Sequence, residues 1–266
     1  MNRMEKDKTQ GMYNEYHRIL GRSTPITFLH GLGDDGTLYN ELARVANENR
    51  SSTLIIDSPG HGNSDHGLVI NDFVKKLDAV LDYRRIDKTH LVGFSQGAAQ
   101  ALHYALHRPG RVEKLVLLAP VFFDKEYLRL QPRLLLPMYQ AFKDKIKQPE
   151  GERQRGSFDF SHGSTNIHTA FLERVRATGL PSMISALKEM EEMGVPDDLE
   201  FLSQILNPIH IIAGKHDQLA TRETANYLKN NSHHSARLTW LKTGHVIIKE
   251  SKEKKLEALL TSLLCH

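Results

Sequence analysis

The sequence is nearly free of cysteine and has no long hydrophobic run. Cys265 is the one cysteine among 266 residues, which excludes a disulfide within the chain. The first eight residues lack the apolar run of a secretory signal. Every uninterrupted apolar stretch is far shorter than the ~20 residues that cross a bilayer. We therefore expect a protein of the reducing cytoplasm, without stable membrane insertion.

An excess of charge of one sign is also missing. The chain has 35 Lys and Arg against 32 Asp and Glu, a net charge of +3 with neutral histidines, and the two signs are interspersed. Because nucleic-acid binders carry a clustered basic excess, we expect no nucleic-acid partner. A hydrophobic content of 39% with 25% charged residues is typical of a globular protein with a buried core.

Short apolar runs alternate along the chain with longer stretches of helical periodicity. The strand candidates are residues 26–29, 53–56, 90–94, 115–118, 209–212 and 237–241, and the helix candidates are residues 38–47, 73–81, 96–107, 222–229 and 250–264. This alternation predicts an α/β protein with a mostly parallel central sheet flanked by helices. Strands are poorly marked before Gly21.

The alternation stops between residues 122 and 207. This segment has helical periodicity, with candidates at residues 127–140, 170–177 and 181–193, and it contains no convincing strand. Its helices have apolar faces that must be buried against the main domain or against each other. We interpret residues 122–207 as a helical insertion into one core domain, which consists of residues 1–121 and 208–266.

Ser95 lies between a strand candidate and a helix candidate, in a Gly-x-Ser-x-Gly sequence with Gly93 and Gly97. In that context the serine occupies a tight, strained turn that exposes its hydroxyl, and the glycines leave room for the crossing strand and helix. The backbone N–H of Gln96, at the start of the helix, is then aimed at a developing oxyanion. The alternative is a serine that only caps the helix.

A catalytic serine needs a base, and the base needs an orienting carboxylate. Asp217 and His245 follow the last two strand candidates, so both belong to loops at the carboxyl ends of strands. We predict Ser95 as nucleophile, His245 as general base and Asp217 as the acid that orients the histidine. Asp124 follows the strand candidate at residues 115–118 and is an alternative acid, whose other interpretation is a helix cap.

Together these sequences resemble those of the α/β-hydrolase family over residues 26–264. They stand in the family's order: HGLG at residues 30–33, DSPGHGNS at residues 57–64, the serine sequence, and the loops of Asp217 and His245. The resemblance implies the α/β-hydrolase fold and makes the insertion a helical cap over the active site. It also implies that the backbone N–H of Leu32 is the second oxyanion donor.

Two further patterns could indicate a cofactor or a metal. Residues 31–36 match the dinucleotide fingerprint Gly-x-Gly-x-x-Gly, and Asp57 stands where a ribose-binding acid is expected, as in an NAD-dependent oxidoreductase. The two adjacent aspartates in this stretch argue against it, because the loop would have to bind a pyrophosphate. His103 and His107 lack the glutamate of a His-Glu-x-x-His zinc site and are interpreted as structural. We expect no cofactor and no metal.

The reaction expected from these residues is hydrolysis of a carboxylic ester, or a related acyl bond, through a covalent acyl-Ser95 intermediate. The partner is then a small-molecule acyl substrate. Thioesters, lactones and carbon–carbon bonds are open alternatives for the same three residues. A receptor that binds a ligand without turnover is an alternative of another class, since fold alone does not define function. The sequence does not define the acyl chain length or the oligomeric state.

Overall fold

A computed structural model of the protein describes residues 3–19, 23–65, 73–121, 200–217, 219–233, 236–251 and 255–265. The strands are β1 (Arg3–Thr9), β2 (Met12–Arg18), β3 (Ile26–Leu29), β4 (Thr53–Ile56), β5 (Thr89–Phe94), β6 (Val112–Leu118), β7 (Ile209–Gly214) and β8 (Arg237–Leu241). The helices are α1 (Asn40–Glu48), α2 (Phe73–Tyr83), α3 (Gln96–His107), α4 (Glu200–Gln204), α5 (Arg222–Asn231), α6 (Ile247–Glu250) and α7 (Lys255–Leu264), with 3-10 helices at Gly36–Tyr39 and Pro109–Arg111.

The eight strands of the described residues belong to one sheet, in the order β1-β2-β4-β3-β5-β6-β7-β8. The strands from β3 to β8 pair in parallel with their neighbours, whereas β2 runs antiparallel to both β1 and β4. The predicted fold class, a mostly parallel sheet flanked by helices, is confirmed. In such a sheet the loops that follow the parallel strands meet at one edge, where ligands bind in open α/β folds.

Apolar side chains cover the sheet on both faces. In β5, Leu91 packs in a buried cluster with α2, α3 and α5, whereas the next residue, Val92, packs in a second cluster with α1 and α7. Burial on both faces explains why the parallel strands are nearly continuous apolar runs. Within the described ranges, no helix has the length and apolar character needed to cross a membrane.

The structure adds an N-terminal hairpin that the sequence pattern does not reveal. The strand β2 faces the core with Met12, Asn14 and Tyr16, so a polar residue interrupts the apolar alternation. The side-chain oxygen of Asn14 accepts a hydrogen bond from Arg84 Nε at 2.7 Å, which satisfies it inside the protein. The turn residues Gln10 and Gly11 both have positive φ, as in two-residue hairpin loops.

The predicted single helix at residues 250–264 is wrong at its start. The helix α6 ends at Glu250, because Ser251 has an extended backbone with ψ 107°. The Ser251 hydroxyl accepts the backbone N–H of Leu256 at 3.2 Å, in the first turn of α7. A serine that bonds to a following turn competes with helix continuation, and this changes the boundary.

Residues 122–199, which make up most of the predicted cap, lie outside the described residues. The division into a core domain and a cap therefore stays a prediction. The helix α4 falls within the last part of the predicted cap. Its Leu202 and the following Ile205 are fully buried in the cluster that also contains α2 and α3. These two side chains attach the last part of the predicted cap to the hydrophobic core that covers one face of the sheet.

Candidate active site

Ser95 lies on the sharp turn between β5 and α3. Its backbone has φ 53° and ψ −114°, a conformation that side-chain-bearing residues rarely adopt, and its N–H donates to the Leu118 carbonyl at 2.9 Å. A Cβ added at Gly93 would lie 2.2 Å from the Gly97 carbonyl oxygen, and one at Gly97 would lie 2.1 Å from the Leu29 carbonyl oxygen. Both glycines are required because backbone atoms cross there at contact distance.

A continuous chain of hydrogen bonds joins Ser95, His245 and Asp217. The Nε2 atom of His245 lies 3.0 Å from Ser95 Oγ, and its Nδ1 atom lies 2.9 Å from Asp217 Oδ2. The structure thus brings together the three side chains that the sequence singled out, although Ser95 and His245 are 150 residues apart. The Asp217 side chain is fully buried, and the His245 side chain is 9% exposed.

The second oxygen of Asp217 defines how the carboxylate is oriented. Asp217 Oδ1 accepts the backbone N–H groups of Leu219 at 2.8 Å and Ala220 at 2.9 Å. Its Oδ2 atom then faces His245 as an acceptor, so the imidazole carries a proton on Nδ1. The Nε2 atom of His245 is left as an acceptor for the Ser95 hydroxyl proton. This is the arrangement in which a neutral histidine can act as a base.

The loops of Asp217 and His245 are packed tightly against each other. A Cβ at Gly214 would lie 2.3 Å from the Gly244 carbonyl oxygen, so the last residue of β7 has no room for a side chain. On the other side of the histidine loop, the Glu250 carboxylate accepts the N–H groups of Gly244 at 2.5 Å and Val246 at 3.2 Å. The sequence pattern does not single out Glu250, whose one signal is its acidic side chain in the short helix α6 directly after the histidine.

The loop after β3 lies against the nucleophile turn. A Cβ at Gly31 would lie 3.2 Å from Ser95 Cβ, so Leu32 follows a residue in contact with the serine. Within the described residues, neither the Leu32 N–H nor the Gln96 N–H donates a backbone hydrogen bond. For Gln96 the reason is its place at the first position of α3, where N–H groups have no partner inside the helix. Neither predicted oxyanion donor is therefore committed to a backbone acceptor in the part of the chain that the structure describes.

The loop after β4 braces the loop that carries Leu32. The Asp57 carboxylate accepts the N–H groups of Gly36 at 2.7 Å and Asn63 at 2.8 Å. Burial raises the pKa of the Asp57 carboxyl above its usual range, and a positive charge on His30 would act in the opposite direction. A Cβ at Gly62, which has φ +51°, would lie 2.2 Å from Asp57 Oδ2. These contacts explain the aspartate without a ribose.

The other patterns have local structural explanations. Asp35 accepts the N–H of Thr37 at 2.9 Å and caps the first 3-10 helix. His107 Nδ1 bonds to the carbonyl of His103 at 2.9 Å, and the two rings pack edge to face with centroids 4.4 Å apart. Among the described residues, no group of three or more His, Cys, Asp or Glu is placed to hold a metal ion. Asp124, the alternative acid, lies outside the described residues.

Comparison with known proteins identifies the family. A model described as the alpha/beta hydrolase fold matches residues 24–252. The chain belongs to this family. Together with the fold, the match confirms the resemblance stated from the sequence. It also makes the protein a member of a family of hydrolases.

Two relatives and one solved structure of the same fold illustrate what the chain is similar to. The chain is 25% identical to the AB hydrolase superfamily protein YisY of Bacillus subtilis over 260 residues, which cover 93% of this chain and 94% of that protein. It is 34% identical to the sn-1-specific diacylglycerol lipase ABHD11 of Danio rerio over 100 residues, covering 36% of this chain and 32% of that protein. The solved enol-lactonase of Burkholderia xenovorans has a TM-score of 0.73 at 16% identity, covering 98% of this chain and 100% of that chain.

Proposed function

We propose that this hydrolase cleaves carboxylic esters through a covalent acyl-Ser95 intermediate. The observation that carries the proposal is the chain of hydrogen bonds from Ser95 through His245 to Asp217, at 3.0 and 2.9 Å. The strained turn at Ser95 supports it, because a protein keeps such a backbone conformation only where the surrounding structure enforces it. Ser95, His245 and Asp217 act as a catalytic triad.

In the first half-reaction, Ser95 Oγ attacks the ester carbonyl carbon while its proton moves to His245 Nε2. The carbonyl electrons move onto oxygen, and the resulting oxyanion accepts hydrogen bonds from the N–H groups of Leu32 and Gln96, each worth ~3 kcal/mol in the transition state. The intermediate then expels the alcohol, which takes the proton from His245. Asp217 holds the imidazole tautomer and stabilises its cation without taking the proton itself.

In the second half-reaction, water attacks the acyl-Ser95 carbonyl and gives one proton to His245 Nε2. Collapse of the second oxyanion releases the carboxylic acid, and Ser95 Oγ recovers its proton from the imidazolium. The same two N–H donors serve both steps because both oxyanions form at the same place. No metal ion or organic cofactor is needed for this proposed sequence of steps.

The choice of an ester rests on chemistry and is supported by one sequence relative and one solved structure of the same fold. An ester needs nothing beyond the nucleophile, the base and the oxyanion donors, since its alcohol is a good leaving group. The Danio rerio protein is a diacylglycerol lipase, which acts on a glycerol ester, and the Burkholderia protein is an enol-lactonase, which acts on a lactone. Thioesters, lactones and carbon–carbon bonds are alternative substrates of the same triad, and the substrate is a small acyl compound in each case.

A substrate panel tests this proposal. Purified protein is assayed with p-nitrophenyl esters of graded acyl length, with a thioester, a lactone, an aminoacyl amide and a 1,3-diketone, and Ser95→Ala serves as the matched control. We expect turnover of esters that disappears in Ser95→Ala. Faster turnover of another bond type by the wild type would replace the ester. No turnover of any compound, with an unreactive Ser95, would favour a ligand-binding protein.

We also propose that residues 122–207 act as a helical cap that selects the acyl group. The insertion leaves the sheet after β6 and returns before β7, and β6 also supplies the carbonyl that anchors the Ser95 turn. Water exclusion above Ser95 and an apolar acyl pocket would follow. Phe123→Ala and Leu135→Ala should shift the preferred acyl length in the ester panel. Unchanged chain-length profiles in both variants would count against a cap that lines the pocket.

A further inference from the structure

The orientation of the Leu32 N–H is set by the peptide group to which it belongs. The Gly31 carbonyl and the Leu32 N–H are parts of one planar trans peptide, so they point in opposite directions. His30 Nδ1 donates to the Gly31 carbonyl oxygen at 2.8 Å, and the Asp34 N–H donates to the same oxygen at 3.1 Å. Holding this carbonyl therefore aims the Leu32 N–H to the opposite side, where the oxyanion forms in the proposed reaction.

The peptide on the other side of Leu32 is held by a second histidine. The Gly33 N–H belongs to the peptide that joins Leu32 to Gly33, and it donates to His61 Nε2 at 3.1 Å. His61 Nδ1 in turn donates to the Pro59 carbonyl at 3.0 Å, which fixes the ring in its own loop. Each peptide group flanking Leu32 therefore has one imidazole bonded to it. The orientations of these two peptide planes define φ and ψ of Leu32.

The hydrogen bonds of the two imidazoles require the same tautomer in both rings. His30 Nε2 accepts the Ser58 N–H at 2.9 Å, and His61 Nε2 accepts the Gly33 N–H. A backbone N–H can only donate, so both Nε2 atoms must be unprotonated and both Nδ1 atoms must carry the proton. Both side chains are fully buried, and the ring centroids are 5.2 Å apart. The bonds are reciprocal, since the loop after each of β3 and β4 supplies one histidine to the other.

We propose that His30 and His61 are positioning residues for the oxyanion donor Leu32, and we call this pair the Leu32 clamp. The inference rests on the proposed function, in which the Leu32 N–H binds the oxyanion. Both imidazoles bond to backbone groups of the two loops. Their effect is to hold the two peptide planes that meet at Leu32, so that the N–H needs no reorientation when charge develops on the substrate oxygen.

Amide side chains can separate the two functions of each imidazole. The Asn amide lies at the position of Nδ1 and the Gln amide at the position of Nε2, because their side chains differ by one methylene. At position 61 the Gly33 N–H needs the acceptor at Nε2, so His61→Gln preserves the clamp and His61→Asn breaks it. At position 30 the Gly31 carbonyl needs the donor at Nδ1, so His30→Asn preserves the clamp and His30→Gln breaks it.

The expected result is therefore a reversed preference at the two positions. The kcat for ester hydrolysis should fall by roughly 10- to 100-fold in His61→Asn and His30→Gln, which is less than complete loss of an oxyanion donor. His61→Gln and His30→Asn should retain most of the wild-type kcat. The KM should change little in all four variants, because the oxyanion exists only in the transition state and the intermediate.

His90→Gln is the control for substitution of a buried histidine, since His90 lies near the start of β5, at the end of the strand away from Ser95. Thermal unfolding of all variants shows whether a loss of kcat follows a loss of stability. The same amide preference at both positions, or wild-type kcat in all four folded variants, would overturn the clamp. Loss of kcat that tracks the melting temperature in every variant would reduce both histidines to a structural role.

A measurement on the wild-type protein covers the case in which the variants do not fold. In ¹⁵N-histidine-labelled protein, two-bond ¹H–¹⁵N correlations distinguish the tautomers of buried imidazoles. We expect both His30 and His61 to be neutral with the proton on Nδ1. A proton on Nε2 of either ring would overturn the clamp. This readout does not depend on turnover, so it separates failure of the clamp from failure of the proposed function, which an unreactive wild-type Ser95 would indicate.

Discussion

Replacement of Asp217 by Asn tests the proposed triad by changing which nitrogen of His245 carries the imidazole proton. The Asp217 Oδ1 atom accepts two backbone N–H groups, from Leu219 and Ala220. In Asp217→Asn the amide oxygen must keep that place, because the amide NH₂ would otherwise face two donors. The NH₂ is then directed at His245 Nδ1, which must become an acceptor. The imidazole proton moves to Nε2, facing Ser95 Oγ, and the base is lost.

The cost of the wrong tautomer can be estimated from comparable substitutions in serine hydrolases. They approach ~10⁴-fold in kcat, which corresponds to about 5 kcal/mol of transition-state free energy. The fold should survive, since both backbone bonds to the side-chain oxygen are kept. The assay is kcat on the best ester, with thermal unfolding to verify the fold. Asp124→Asn, which changes the alternative acid, is the matched comparison and should cost far less.

Two outcomes would refute this reasoning. A kcat for Asp217→Asn within about tenfold of the wild type would mean that the tautomer of His245 does not depend on this carboxylate. A larger loss in Asp124→Asn than in Asp217→Asn would transfer the acid role to Asp124. Loss of folding in Asp217→Asn would be detected by its melting curve, and fluorophosphonate labelling of the folded fraction would then replace kcat as the readout.

Three further predictions concern stability. Gly97→Ala should lower the free energy of unfolding by more than about 3 kcal/mol, because its Cβ would lie 2.1 Å from the Leu29 carbonyl oxygen. Gly110→Ala, whose Cβ would meet no heavy atom of the described residues within 4 Å, should change it little, and equal values in urea unfolding would contradict this. Burial lowers the pKa of His90 to about 4, so the unfolded chain binds more protons than the folded protein between about pH 6.5 and 4. The free energy of unfolding should therefore fall by up to about 3 kcal/mol as the pH is lowered over that range. If the free energy of unfolding of His90→Gln depends on pH as steeply as that of the wild type, this cause is excluded. Both polar atoms of the Gln96 side chain are buried and have no hydrogen-bond partner among the described residues. Gln96→Met should therefore raise the melting temperature, and a lower melting temperature would show that the amide is satisfied.

The parts of the fold that could be predicted are those with local signals. The helix at Gln96–His107 and the strand at Arg237–Leu241 have the predicted bounds, because apolar periodicity and the adjacent turns define them. Ser95, Asp217 and His245 could be placed at one edge because each follows a strand of a parallel sheet. The N-terminal hairpin could not be predicted, because its inward-facing Asn14 interrupts the apolar alternation. The partner of Asn14 is Arg84, a residue 70 positions away.

The side chains that support the oxyanion loop could not be predicted either, because their hydrogen-bond partners are also distant in the sequence. The Gly33 N–H and His61 are 28 residues apart, and so are His30 and the Ser58 N–H. Their contact depends on β3 and β4 lying side by side, and no periodicity carries that information. Family resemblance singles out HGLG at residues 30–33 and DSPGHGNS at residues 57–64. Only the structure shows that the two loops hold each other through reciprocal hydrogen bonds to their histidines.

Activity-based labelling of Ser95 tests the central claim most directly. Purified protein is treated with a fluorophosphonate and examined by intact mass and peptide mapping, with Ser95→Ala as the control. We predict one covalent adduct, on the peptide that contains Ser95, and none in Ser95→Ala. The same labelling in Ser95→Ala, or an unreactive wild-type protein that is folded by circular dichroism, would contradict the assignment of Ser95 as an activated nucleophile.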